Sequence, residues 1–137
     1  MNLFVYGTLL IPEIWRRISG ADSLESRAAT LEGYEVRRVA GEAFPGIVVG
    51  EAGGEPVAGR VFFGLGAAEM RLLDAYEDSF YERIKVMPLV DGLGPVAAQA
   101  YVVPQDLAAS ILSAEPWSLA WFERHALADF RARLFGG

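Results

Sequence analysis

Short apolar runs separated by glycine or proline recur along the chain, a pattern typical of short strands joined by turns. The first run, Leu3 to Tyr6, is rich in strand-favouring residues and predicts a strand at residues 2–6 that ends at Gly7. Further strands are predicted at residues 25–31, 34–39, 47–49, 57–63, 82–90 and 96–103. Gly33 suits a hairpin or bend, and residues 91–94 read as a hairpin turn. The pattern therefore predicts about seven short strands.

Apolar residues spaced i, i+3, i+4 and i+7 predict a helix over residues 12–18, with Pro12 at its first position and Gly20 as its cap. The other predicted helices span residues 67–78, 105–113 and 116–134. Because the strands come in neighbouring hairpins, we expect an α+β fold. It would be a mixed or antiparallel barrel-like sheet with helices packed outside, in a single domain of residues 1–137.

Composition and charge exclude several classes of function. The chain is 53% apolar and carries a net charge of −6, so it has no electrostatic attraction to nucleic acid or to an anionic membrane. It contains no cysteine, which excludes disulfides, a thiolate nucleophile and sulfur-based zinc sites. We see neither a signal peptide nor a run long enough to span a bilayer, and we expect a cytoplasmic protein.

The single histidine, His125, narrows the possible mechanisms. No Gly-x-Ser-x-Gly elbow and no glycine-rich nucleotide-binding loop is present, so neither a serine triad nor a phosphate-binding loop is supported. His125 falls in the predicted terminal helix beside aromatic residues and is interpreted as a packing or surface residue. If the chain is an enzyme, a carboxylate has to handle its protons.

The corner formed by Tyr6, Gly7, Thr8 and Leu9 is the first stretch that could carry chemistry. A strand that stops at a glycine shortly before a helix leaves backbone N–H groups free to bind an anion or an oxyanion. Gly7 would permit a positive φ or a close approach of another atom. An ordinary tight turn after a first strand remains the alternative.

The second stretch is the end of the predicted helix over residues 67–78. Leu73 and Glu77 fall on one helix face, which places a carboxylate on or beside the apolar stripe, whereas Asp74 and Asp78 are better placed for solvent. A buried carboxylate without a partner is costly, so it normally has a partner or a function. Arg83 is close enough in sequence to be that partner, and a plain ion pair of Glu77 with Arg83 is the structural alternative.

Four stretches, in order, resemble the gamma-glutamylcyclotransferase-like family, which includes the plant avirulence-induced-gene type. Phe4-Val5-Tyr6-Gly7-Thr8-Leu9 resembles its opening motif, and Phe44-Pro45-Gly46-Ile47 resembles its Tyr-Pro-Ala-Ile loop. Leu73-Asp74-Ala75-Tyr76-Glu77-Asp78, followed by Tyr81 and Arg83, resembles its Leu-Asp-x-x-Glu-Gly helix end and Tyr-x-Arg strand. Ala100-Tyr101-Val102 resembles its late strand. Two positions depart from the family pattern, where Phe44 replaces a frequent tyrosine and Asp78 a frequent glycine.

The resemblance implies an enzyme that acts on a small gamma-glutamyl amide or peptide. The substrate's α-amine would attack its own γ-carbonyl, giving 5-oxoproline and a free amine or amino acid, with no metal or organic cofactor. It implies Glu77 as the acid/base, Tyr6 to Leu9 as the binding loop, and Tyr81 and Arg83 as further pocket residues. A non-enzymatic binding module for a small acidic metabolite and a hydrolase remain as alternatives. The leaving group and the oligomeric state stay open.

Overall fold

A computed structural model describes residues 1–21, 23–51 and 53–136. The strands are β1 (Leu3–Val5), β2 (Ser26–Leu31), β3 (Tyr34–Arg38), β4 (Pro45–Val49), β5 (Val57–Phe62), β6 (Glu82–Val86), β7 (Leu89–Val90), β8 (Gly94–Pro95) and β9 (Ala98–Val102). The α-helices are α1 (Pro12–Ser19), α2 (Ala67–Tyr76), α3 (Gln105–Ile111), α4 (Leu119–His125) and α5 (Leu127–Phe135). A single 3₁₀ turn, Thr8–Leu10, joins β1 to α1.

Seven strands form a curled mixed sheet in the order β6-β9-β1-β5-β2-β7-β8. β1 is an interior strand, parallel to β9 and antiparallel to β5. β3 and β4 pair with each other in a separate two-stranded sheet. The predicted α+β architecture, a barrel-like mixed sheet with helices outside, is confirmed.

The alternation of side chains along β1 divides the core into two main parts. Leu3 and Val5 belong to a cluster that includes buried residues of the helices, while Phe4 and Tyr6 belong to one formed by strand residues. The helix-side cluster takes Ile14 and Trp15 from α1, Met70 and Leu73 from α2, and Phe122 from α4. β1 is buried on both faces, and Thr8 and Leu9 in the turn that follows it are buried as well.

One predicted strand is wrong for a physical reason that the sequence shows only partly. The predicted strand over residues 82–90 is two strands, β6 and β7, because Pro88 lacks the N–H that a continuous ladder requires. Of the two possibilities predicted at Gly33, the structure has the bend and not the hairpin, because Gly33 turns the chain with a φ of 84° and β2 and β3 do not pair. This bend redirects the chain from the large sheet to the small one.

The predicted terminal helix over residues 116–134 is also wrong, because it is two helices. α4 ends and α5 begins around Ala126, whose φ of −132° and ψ of −19° depart from helical values. No glycine or proline marks this break, so the sequence pattern runs through it. Among the described residues, no helix combines the length and the apolar character needed to cross a bilayer.

Candidate active site

Glu77 reaches the protein interior because the chain leaves its helix at this residue. α2 ends at Tyr76, and Glu77 has an extended backbone with φ of −76° and ψ of 144°. Its N–H still donates to the Leu73 carbonyl at 3.2 Å, which closes the last turn. The Glu77 carboxyl therefore projects from the helix end, and not from the helix stripe that the sequence suggested. It lines a cavity at the carboxyl end of β1.

The cavity has a volume of about 110 Å³ and is lined mostly by aromatic and turn residues. It is lined by Phe4, Val5, Tyr6, Gly7, Thr8, Leu9, Phe44, Pro45, Tyr76, Glu77, Asp78, Tyr81, Tyr101 and Phe130. The structure thus brings Tyr6, Gly7, Thr8, Leu9, Tyr81 and Glu77 together around one cavity. Arg83 does not line it.

Arg83 pairs with Asp74, where the sequence suggested Glu77. Arg83 Nε lies 3.3 Å from Asp74 Oδ1, and both side chains keep contact with solvent. Asp74, which was predicted to face solvent, is therefore a member of a polar cluster beside the cavity. An ion pair that is this exposed contributes little to stability, about 0–1 kcal/mol. The pairing leaves the Glu77 carboxyl without a described cation to balance it.

The turn after β1 presents free backbone donors. Leu10 N–H bonds the Gly7 carbonyl at 3.0 Å and Ile11 N–H bonds the Thr8 carbonyl at 3.1 Å. Within the described chain, the N–H groups of Gly7, Thr8 and Leu9 have no hydrogen-bond acceptor. These donors are available to a ligand in the cavity, as the sequence predicted for this corner.

Gly7 is needed because another segment approaches it closely. Its φ is −120°, an ordinary value, so a positive φ is not the reason for glycine here. A Cβ at this position would lie 2.9 Å from Pro45 Cγ. The glycine therefore allows the loop before β4 to close against the turn, which joins the first two segments that resemble the family.

Two tyrosine hydroxyls in the cavity donate to backbone carbonyls. Tyr6 donates to the carbonyl of Tyr101 at 2.7 Å, and Tyr81 donates to the carbonyl of Pro45. Both bonds connect strands or loops that are far apart in sequence. They fix the positions of the rings and leave each hydroxyl without a free proton for a ligand.

Two further tyrosines, Tyr76 and Tyr101, connect the end of α2 to the rest of the site. The Tyr76 hydroxyl lies 2.7 Å from Thr8 Oγ1, which ties the helix end to the turn. The Tyr101 hydroxyl donates to Asp74 Oδ1 at 2.7 Å. Sequence reasoning did not assign these two tyrosines to the site. Their place within the motif segments was the one signal that could have identified them.

The cavity disfavours negative charge. Burial, followed by the charges of Asp78 and Asp74, raises the pKa of Glu77 from 4.5 to about 8. The three carboxyls cluster at the negative end of the α2 dipole, whose last turn contains no basic residue. Among the described residues, none donates a hydrogen bond to the Glu77 carboxyl. At neutral pH this carboxyl is therefore mostly protonated and close to its titration point.

The tyrosines of the cavity stay neutral. Burial first raises the pKa of Tyr6, Tyr76, Tyr81 and Tyr101, and the nearby Glu77 charge raises it further. None of them can act as a base at physiological pH, which leaves Glu77 as the buried group of the cavity that can exchange a proton near neutrality.

The other candidate groups lie elsewhere. His125 is at the end of α4, where its ring lies 6.2 Å from that of Trp121, and it does not line the cavity. A second cleft, of about 910 Å³, shares only Tyr6 with the first among its described lining residues. In the part of the chain that the structure describes, no three histidine or acidic residues group in a way that could hold a metal ion.

Comparison with known proteins agrees with the resemblance of the four segments. Residues 3–119 match the family model described as Gamma-glutamyl cyclotransferase, AIG2-like. Over 89 residues the chain is 32% identical to AIG2-like protein D of Arabidopsis thaliana, and the match covers 65% of this chain and 57% of that protein. Matches to three such plant relatives span 50% to 60% of their length.

Solved structures show the same fold. A solution structure of an Arabidopsis thaliana protein matches with a TM-score of 0.70 at 26% identity, over 98% of this chain and 79% of the other. A structure named Gamma-glutamyl cyclotransferase matches with a TM-score of 0.63 over 74% of this chain and 65% of the other. At 16% identity the second likeness shows a shared fold alone. With residues 3–119 matched by the family model, the chain belongs to the Gamma-glutamyl cyclotransferase, AIG2-like family.

Proposed function

We propose that this protein is a cyclotransferase that converts a gamma-glutamyl amide or peptide into 5-oxoproline and a free amine or amino acid. Glu77 is the acid/base, the turn Tyr6 to Leu9 is the binding loop, and Tyr81 forms part of the pocket wall. Arg83 acts from outside the cavity through its ion pair with Asp74. The substrate is a small molecule, and the reaction needs only protein groups and the substrate's own amine.

The reaction begins with the substrate's α-ammonium group. The Glu77 carboxylate takes one proton from it, and the resulting amine attacks the γ-carbonyl carbon to form the lactam C–N bond. Free N–H groups of Gly7, Thr8 and Leu9 stabilise the oxygen that becomes negative or hold the substrate carboxylate.

Collapse of this intermediate breaks the original amide C–N bond. Protonated Glu77 returns its proton to the leaving nitrogen. The ring nitrogen loses one more proton and keeps a single hydrogen in the lactam, and the second proton ends on the released amine as its ammonium form in water. Glu77 is therefore regenerated as the carboxylate.

The reaction makes few demands on the site, because the nucleophilic amine and the electrophilic carbonyl are both parts of the substrate. Intramolecular attack needs a folded substrate conformer more than it needs an activated protein nucleophile. A small aromatic cavity favours such a compact conformer. A carboxyl with a pKa of about 8 can both accept a proton from an ammonium group and donate one to a leaving amine.

The observation that carries the proposal is the Glu77 carboxyl itself. It lines the cavity beside the binding turn, its pKa is raised to about 8, and Arg83 is bonded to Asp74 and not to it. A structural ion pair would have the opposite effect, because a nearby cation lowers the pKa of a carboxyl.

The products of the reaction test the proposal. The purified protein is incubated with a panel of gamma-glutamyl amino acids and gamma-glutamyl amines, and the products are identified by mass spectrometry. We expect 5-oxoproline and the released amine in equal amounts. Free glutamate in place of 5-oxoproline would show hydrolysis, with water as the nucleophile. Binding of panel members with no turnover of any would show a binding module.

A further inference from the structure

The hydroxyl proton of Tyr101 is already used in a hydrogen bond within the protein. It donates to Asp74 Oδ1 at 2.7 Å, and Asp74 is in turn paired with Arg83. A carboxylate in an ion pair only accepts hydrogen bonds, so the proton must come from the tyrosine. Arg83 and Tyr101 face each other directly across β6 and β9, and the register of this pair places both within reach of Asp74.

A tyrosine oxygen that has given its proton to a fixed acceptor offers only lone pairs to other partners. Tyr101 lines the same cavity as Glu77 and Asp78, which also offer acceptor oxygens. Tyr6 and Tyr81 are committed as donors in the same way, to carbonyl groups. This part of the cavity therefore presents acceptors and is complementary to a ligand group that only donates. An ammonium group is such a group.

We infer that the Tyr101 oxygen is the acceptor that orients the α-ammonium group of the ligand, and that Asp74 is the positioning residue that holds this oxygen in its accepting state. The inference rests on the proposed function for the chemistry of its ligand. It extends that function by giving the nitrogen a second partner besides Glu77.

The second partner has a mechanistic consequence. Once Glu77 has taken one proton, the amine nitrogen still has two hydrogens and a lone pair. A hydrogen bond from one of those hydrogens to Tyr101 fixes the rotation of the amine, so the lone pair can be held toward the γ-carbonyl carbon. Without it the amine rotates freely and the reactive orientation is less populated.

Two ligands that differ only in the ammonium group test the inference. L-Glutamine and glutaramate share the carboxylate and the γ-carboxamide, and glutaramate lacks the α-ammonium. Isothermal titration at pH 6 keeps Glu77 protonated, so turnover is suppressed and its charge does not contribute. We expect the wild-type protein to prefer L-glutamine. Tyr101→Phe should weaken L-glutamine binding about tenfold and leave glutaramate unchanged, since a hydrogen bond to a charged group is lost.

Variants at Asp74 separate its role as an acceptor from its charge. Asp74→Asn retains an oxygen that can accept from Tyr101 and should keep most of the preference. Asp74→Ala releases the hydroxyl proton and should lower the preference toward that of Tyr101→Phe. Tyr34→Phe, at a tyrosine outside the cavity, is the matched control for removal of a hydroxyl, and it should change neither affinity. A melting curve for each variant confirms that it is folded.

Three results would overturn the inference. The first is that the wild-type protein binds L-glutamine and glutaramate with equal affinity. The second is that Tyr101→Phe keeps the wild-type preference for L-glutamine. The third is that Asp78→Asn loses this preference while Tyr101→Phe keeps it. The last would assign the ammonium to Asp78. The titration needs no turnover, so a protein that prefers L-glutamine but yields no 5-oxoproline from any substrate would refute the proposed function and support this inference.

Discussion

At the scale of single residues, Glu77 is unusual because three features combine at one position. The chain leaves α2 at this residue, the nearest charged groups are the carboxyls of Asp74 and Asp78, and Arg83 is already paired. The sequence pattern predicted a carboxylate on or beside the buried face of the helix, and the family resemblance implied its role as the acid/base. The sequence could not show that Arg83 belongs to Asp74, because that pairing follows from the register of β6 and β9.

The raised pKa of Glu77 predicts how its removal changes stability with pH. The folded protein holds this proton up to about pH 8, and the unfolded chain releases it near pH 4.5. The folded state is therefore penalised progressively as pH rises from 4.5 to 8, and the penalty is constant above that range. Glu77→Gln removes the penalty. Because Glu77 keeps some contact with solvent, we expect a gain of about 1–3 kcal/mol at pH 8.5.

Thermal melting at two pH values measures this effect. The melting temperature of Glu77→Gln should exceed that of the wild-type protein by several degrees at pH 8.5 and should equal it at pH 4, where Glu77 is protonated in both states. Asp78→Asn removes one of the two charges that raise the pKa of Glu77, so it should raise the melting temperature at pH 8.5 as well, but by less than Glu77→Gln. Destabilisation of Glu77→Gln at pH 8.5 would mean that the carboxylate has a stabilising partner.

At the scale of elements, the site depends on the contact between the turn after β1 and the loop before β4. The sequence predicted the turn but not its 3₁₀ geometry. It offered two reasons for a glycine at position 7, a positive φ and the close approach of another atom. The structure selects close approach, because Gly7 has an ordinary φ and Pro45 lies against it. A contact between residues so far apart depends on tertiary packing, which local sequence patterns do not specify.

Gly7→Ala tests this contact. The new Cβ would lie 2.9 Å from Pro45 Cγ, so the turn or the loop has to move by several tenths of an ångström. We expect a modest loss of stability, about 1–2 kcal/mol, and a rise of about tenfold or more in KM for the gamma-glutamyl substrate. Gly54→Ala is the matched control, because its Cβ would meet nothing nearer than 3.4 Å. A Gly7→Ala protein with normal KM would show that the turn does not contact the substrate.

At the scale of the whole molecule, the positions of most strands could be predicted because most of them are short apolar runs bounded by glycine or proline, but the described residues form nine strands where about seven were predicted. The sheet order could not be predicted, since the parallel pairing of β1 with β9 joins segments about 95 residues apart. The break at Ala126 was missed because its sequence continues the helical pattern. The break matters for the site, because Phe130 of α5 lines the cavity.

The same distinction between local sequence features and tertiary packing applies to the candidate site. Glu77 and the turn could be predicted because each lies in a compact segment that resembles the family. The connecting bonds of Tyr76 to Thr8 and of Tyr101 to Asp74 depend on how α2 packs against β1 and β9, so the sequence pattern gave no sign of them. The family membership predicted from the four segments is confirmed.

The central claim is that Glu77 carries the proton during ring closure. The most direct test compares the rate of 5-oxoproline formation by the wild-type protein, Glu77→Gln and Asp78→Asn, on whichever gamma-glutamyl substrate the wild type turns over fastest. Loss of a general acid/base costs about 10²–10⁴-fold in rate, so Glu77→Gln should lose at least a hundredfold while Asp78→Asn stays within about tenfold. A folded Glu77→Gln protein that forms 5-oxoproline at the wild-type rate would contradict the account.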